Sequence, residues 1–108
     1  MKKLAAFASA LLISTTALAD ETPTYTLTLK DHKFTPETIE APADTKFKLI
    51  VKNEDQTPAE FESDDFKREK IIKGGAEATI NVGPLKTGEY KFFDEFNEKT
   101  AQGKLIVK

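Results

Sequence analysis

Gly88-Glu-Tyr-Lys-Phe-Phe-Asp-Glu-Phe-Asn-Glu-Lys-Thr-Ala-Gln-Gly-Lys-Leu-Ile-Val-Lys108 is the stretch whose reading decides the fold. Tyr90 and Phe92 alternate with Glu89 and Lys91, which is the period-2 spacing of a strand with one buried face. An acidic loop, Asp94 to Gln102, comes next; Gly103 closes it, and Lys104–Lys108 reads as a second short strand. The chain thus ends as strand, polar loop, strand.

The same alternation recurs upstream. Tyr25 to Lys30 places Tyr25, Leu27 and Leu29 on one face, and Thr45 to Asn53 does the same for Phe47, Leu49 and Val51. Between them, Phe34 is expected to plug the core, while Pro36 and Pro42 bound a short segment around Ile39. In Glu60-Phe61-Glu62 the aromatic faces one way and both glutamates the other. Asp64 to Lys70 has only Phe66 as an apolar anchor and reads as a short helical turn or an irregular loop. Ile71-Ile72 and Ala76–Val82 read as strands separated by Gly74-Gly75, and Tyr90, Phe92, Phe93 and Phe96 read mainly as core. About seven short strands with frequent turn signals indicate an all-β sandwich.

The first nineteen residues are set apart. Lys2 and Lys3 precede the apolar run Leu4 to Ile13, and Ala17-Leu18-Ala19 is a small-x-small cleavage site. This is the pattern of a secretory signal peptide (1–19), too short in its apolar run to span a bilayer, so the domain is expected at 20–108 and in the periplasm. Cysteine is absent, which excludes disulfides, thiolate zinc sites, Cys nucleophiles and a type-1 copper centre. The single Met is Met1, which argues against methionine-based Cu(I) handling. A net charge of −2, with 16 basic and 18 acidic residues interspersed, argues against nucleic acid and against an anionic membrane surface. No Ser/His/Asp, P-loop or Rossmann pattern is present, so hydrolases and nucleotide enzymes are set aside.

A resemblance enters here. Phe34-x-Pro36 with Ile39, the Phe47–Val51 strand ending in Asn53, and Gly88-x-Tyr90-x-Phe92 resemble a cupredoxin. Thr57-Pro-Ala-Glu-Phe-Glu-Ser63, Arg68-Glu-Lys70, Gly83-Pro-Leu85, Phe92-Phe-x-Glu-Phe96 and Thr100-Ala-Gln-Gly103 are similar to the EfeO-type cupredoxin-like family. The resemblance implies a cupredoxin-like Greek-key β-sandwich in the periplasm, handling copper or iron beside an iron permease and a separate periplasmic iron-binding protein. It also implies a part in oxidising ferrous to ferric iron. By position, Glu60 takes the place of the upstream imidazole of a blue-copper site, Asp94 that of the thiolate, Asn97 that of the second imidazole and Gln102 that of the axial thioether. The family more often has Gly at the place of Asp94 and His at that of Asn97.

Carboxylate and amide oxygens in place of thiolate and imidazole suit hard cations such as Fe3+ and hold Cu2+ with less selectivity. Glu60 and Glu62 share a strand face, and Glu95 is expected to approach them; His32, the one imidazole, or Asp94 would complete the set. Repulsion among such carboxylates in the empty site would raise at least one pKa. Arg68-Glu69-Lys70 is expected to pair with the acidic loops or with a partner. The competing reading is a metal-free β-sandwich adaptor whose acidic face docks a permease or another periplasmic protein.

Overall fold

The computed structural model describes residues 22–108, so the signal-peptide reading of residues 1–19 lies outside the described residues. Alternating segments become nine strands: β1 (Thr24–Lys30), β2 (Lys33–Thr35), β3 (Thr38–Ala41), β4 (Phe47–Asn53), β5 (Ala59–Ser63), β6 (Arg68–Ile72), β7 (Glu77–Val82), β8 (Gly88–Asp94) and β9 (Gln102–Val107). A 3-10 turn, Glu95–Asn97, lies between β8 and β9. The strands beyond the expected seven or so are short pieces such as β2 and β3, too brief for periodicity to mark.

Two sheets form the sandwich, one ordered β2-β1-β4-β7 and the other β3-β9-β8-β5-β6. β1 pairs parallel with β4 and β3 parallel with β9, whereas the remaining pairs are antiparallel. Such crossovers between strands distant in the chain give the Greek-key arrangement.

Inward alternation builds the core: Leu27 and Leu29 of β1, Phe47, Leu49 and Val51 of β4, and Leu105 and Val107 of β9 are all buried. Phe34 stands edge-on to Phe92 at 5.2 Å and to Phe61 at 6.3 Å, and Phe61 stacks on Phe92 at 5.3 Å. The expected plug is therefore one ring of an aromatic triad that joins the two sheets. Burying each such ring stabilises by about 1.5–3 kcal/mol.

Three expectations change. Phe93 lies on the outer face because Phe92 occupies the inner one, and adjacent strand residues point oppositely. Phe96 is 50% exposed, since the 3-10 turn carries it clear of the sandwich. Asp64–Lys67 is a tight turn, after which β6 begins at Arg68 rather than Ile71. Ser63 explains the turn: its Oγ accepts from Phe66 N at 3.2 Å while its hydroxyl donates to Lys91 O at 2.6 Å.

Candidate metal centre

Strand alternation turns Phe61 into the core and leaves Glu60 and Glu62 on the outer face of the five-stranded sheet. The 3-10 turn after β8 brings Glu95 to the same place. One carboxylate oxygen from each of Glu60, Glu62 and Glu95 lies within 4.8 Å of the other two. Among the described residues this is the one group of three or more acidic or imidazole side chains so placed. The cluster lies beside the loop end, on the outward face of β5 rather than between the sheets.

A buried pin holds the two segments together. Asp94 is 1% exposed; its Oδ1 accepts from Glu60 N at 2.9 Å and from Phe96 N at 3.1 Å, and its Oδ2 accepts from Asn97 Nδ2 at 3.2 Å. One carboxyl thereby fixes the start of β5 against the 3-10 turn, and so Glu60 against Glu95. Asn97 is spent on this network, and Gln102 Nε2 donates to Glu98 O at 2.9 Å. Asp94, Asn97 and Gln102, three of the four places that matched blue-copper ligands, thus knit the loop to itself and to β5.

His32 lies elsewhere. Asp31 and His32 adopt left-handed backbone, with φ of 52° and 58°, and their N–H groups donate to Asp55 at 2.7 and 3.0 Å. Its Nδ1 sits 3.5 Å from Asp55 Oδ2. Burial works against the charge on Asp55, but these backbone donors and the imidazole outweigh it and hold the carboxyl below its ordinary value. His32 therefore pins the β1–β2 turn to the β4–β5 loop. Arg68 does not pair with the acidic loops, because its guanidinium donates to the carbonyls of Asn81 (2.8 Å) and Lys67 (2.9 Å).

Electrostatically the cluster is unsettled. Glu62 Oε1 is shielded from solvent, and no donor reaches it. Instead Glu62 meets the Glu95 carboxyl, a contact between two acceptors that needs a shared proton or a cation between them. That contact first, then burial, pushes Glu62 up to about 7. Glu60 is likewise raised, first by contact with Glu69 and then by burial. Glu69 is the residue that sequence reasoning missed. It stands directly opposite Glu62 in the β5–β6 ladder, which is legible only once Arg68 is known to begin a strand.

Residues 3–107 match the cupredoxin-like domain family. The chain belongs to that family. It is 48% identical over 81 residues to an uncharacterized protein of Rickettsia prowazekii (strain Madrid E), an alignment that takes in 75% of this chain and 65% of that protein. The chain therefore spans about two thirds of the length of this relative. Auracyanin A, a "blue" copper protein of Chloroflexus aurantiacus, superposes with a TM-score of 0.70 at 11% identity, covering 82% of this chain and all of that one (100%). The metal-binding domain of the Cu(I)-exporting P-type ATPase CopA of Streptococcus pneumoniae D39 superposes with a TM-score of 0.68 at 14% identity, covering 79% of this chain and 84% of that one. At such identities the likeness is one of fold.

The donor set of this cupredoxin-like domain does not fit a thiolate–imidazole copper centre. The sequence has no cysteine, its one imidazole faces Asp55, and the thiolate place is filled by the buried pin Asp94. Three converging carboxylates and an orphaned oxygen fit a hard cation instead.

Proposed function

We propose that this chain is a periplasmic cupredoxin-like protein that binds a hard cation, Fe3+ foremost and Cu2+ with less selectivity, through Glu60, Glu62 and Glu95. In this reading it works in iron uptake beside a permease or a periplasmic iron-binding protein, as the EfeO-type resemblance of the Thr57–Ser63 and Phe92–Gly103 segments implies. The observation that carries the metal-binding reading is the donorless oxygen of Glu62, a side chain that also meets the Glu95 carboxyl. A cation between the two would replace a repulsive contact with two coordinate bonds. Carboxylates also favour ferric over ferrous iron, the bias that a role in ferrous-iron oxidation requires.

His32 and Asp94 fall outside the proposed ligand set, since both are committed to structural contacts. The test is calorimetric titration of the purified protein with Fe3+, Cu2+, Mn2+ and Fe2+. About one equivalent of Fe3+, lost on Glu62→Gln, is the expected result. No heat with any metal would sink the reading and favour the metal-free adaptor, whose docking face would include Ile71 and Phe96, exposed by 61% and 50% beside the carboxylates.

A further inference from the structure

The outer face of the five-stranded sheet carries two like-charge cross-strand pairs. Glu62 stands opposite Glu69 across β5 and β6, and Lys91 stands opposite Lys104 across β8 and β9. Like charges directly opposite one another destabilise an antiparallel pair, whereas exchanging one residue between the two pairs would make both attractive. The sheet instead keeps both like-charge pairs, with Glu89 on β8 and Glu40 on β3 as acids beside the lysine pair. The two pairs are joined through Phe93, the Cα partner of both Glu62 and Gln102, with Lys91 two residues away on the same face, about 6–7 Å along β8.

Beside the lysine pair lies an open, solvent-facing cavity of about 420 Å3. Lys91, Lys99 and Lys104 line it together with Thr38, Thr100 and Gln102, and Glu37 is the one acidic residue in its wall. The ladder sets Thr38, Lys104 and Lys91 side by side on β3, β9 and β8. Among the described residues neither Lys91 nor Lys99 has an ion-pair partner, and Lys104 has only Glu89 at 3.9 Å. This volume is of ligand size, well beyond a single tetrahedral oxyanion. Ammonium groups act as point charges rather than planar forks, so the site counts negative charges, while the hydroxyls and amide offer hydrogen bonds to carboxylate or hydroxyl oxygens.

We infer that the cavity walled by Lys91, Lys99 and Lys104 binds a small organic anion bearing two or three carboxylates, which reaches the protein as the chelator of the cation taken by Glu60, Glu62 and Glu95. The chelator half of this inference rests on the metal reading above; the anion half stands without it. Repulsion between Lys91 and Lys104 is relieved by the anion, just as repulsion between Glu62 and its neighbours is relieved by the cation.

The experiment is titration of the purified protein with citrate alone, acetate alone, inorganic phosphate alone and the ferric citrate complex, at fixed ionic strength. Citrate is expected to bind, acetate and phosphate at least tenfold more weakly. Lys91→Gln and Lys99→Gln are each expected to weaken citrate about tenfold without lowering the melting temperature, because Lys91→Gln removes a repulsion. Glu62→Gln is expected to leave citrate alone unaffected and to weaken ferric citrate. Absence of citrate binding, citrate binding indifferent to both lysine substitutions, or phosphate bound as tightly as citrate would each overturn the anion site. Ferric citrate indifferent to Glu62→Gln, with citrate still bound, would overturn the chelator role. A parallel titration with Fe3+, Cu2+ and Mn2+ in the absence of citrate separates the two readings: no binding of any of the three alongside lysine-dependent citrate binding removes the metal site and keeps the anion site.

Discussion

Glu62 is where the residue scale has most to say. Its folded pKa of about 7 lies above the ordinary 4.5, so between those values the folded chain holds more protons than the unfolded one. Stability of the metal-free protein therefore falls as pH rises from about 4.5 to about 7, and is lower above that window. Glu62→Gln should raise the melting temperature at pH 8 and leave it nearly unchanged at pH 4, as followed by circular dichroism. A wild type and variant that melt alike at both pH values would mean that Glu62 and Glu95 do not oppose one another. Asp94 behaves differently, because its work is to accept. Asp94→Ala orphans the part-buried Glu60 N and Phe96 N, at about 1 kcal/mol for each hydrogen bond lost. Asp94→Asn keeps an Oδ1 for both and should lose less than half as much in chemical denaturation. Only the types of these residues were legible in the sequence. That one acid would become a pin and another a strained site residue depended on which backbone N–H groups folded up beside them.

At the scale of elements, long regular strands were read well and short or charged ones were not. β4 is buried, exposed, buried along nearly its whole length, and its alternation is visible in the amino acids themselves. β6 is exposed at four of its five positions, so no apolar periodicity marks Arg68-Glu69-Lys70 as extended. Pairing with β5 makes it a strand, and it is an edge strand whose charges suit exposure. β9 carries a constraint of another kind at Gly103, where an added Cβ would run into the Phe92 ring and the Glu37 carbonyl. Gly103→Ala should destabilise by about 1–3 kcal/mol, the ordinary cost of overpacking. Urea denaturation checks this, and an unchanged midpoint would mean that β9 shifts outward without strain. In the β5–β6 turn, Ser63→Ala should cost about 1–3 kcal/mol by leaving Phe66 N and Lys91 O without their shared hydroxyl.

For the whole molecule, the sandwich is graded from centre to edge. β1 and β4 are interior strands of their sheet, while β2, β7, β3 and β6 are edges. Native-state hydrogen exchange should open amides of the edge strands β2 and β6 first, and those of β1 and β4 only on global unfolding. Equal protection in β6 and β4 would contradict this order. Most strand pairs join segments distant in the chain, so folding should be slow for a domain of this size, in the range of milliseconds to seconds by stopped flow. Charge is uneven as well, with Glu62 opposite Glu69 across β5 and β6 and Lys91 opposite Lys104 across β8 and β9.

The sequence by itself determined the all-β class, the inward faces of the long strands and the absence of a thiolate metal site, because alternation and composition are properties of the chain alone. It also placed Glu60 and Glu62 on one face, since that follows from the strand period. Only the tertiary structure decided that Glu95 reaches them, that Asp94 and His32 are committed to backbone and carboxyl partners, and that Glu69 completes the acidic row. Those outcomes depend on register between strands far apart in the chain and on the angle of a three-residue turn. No local pattern encodes either, because both are fixed by how the buried faces fit.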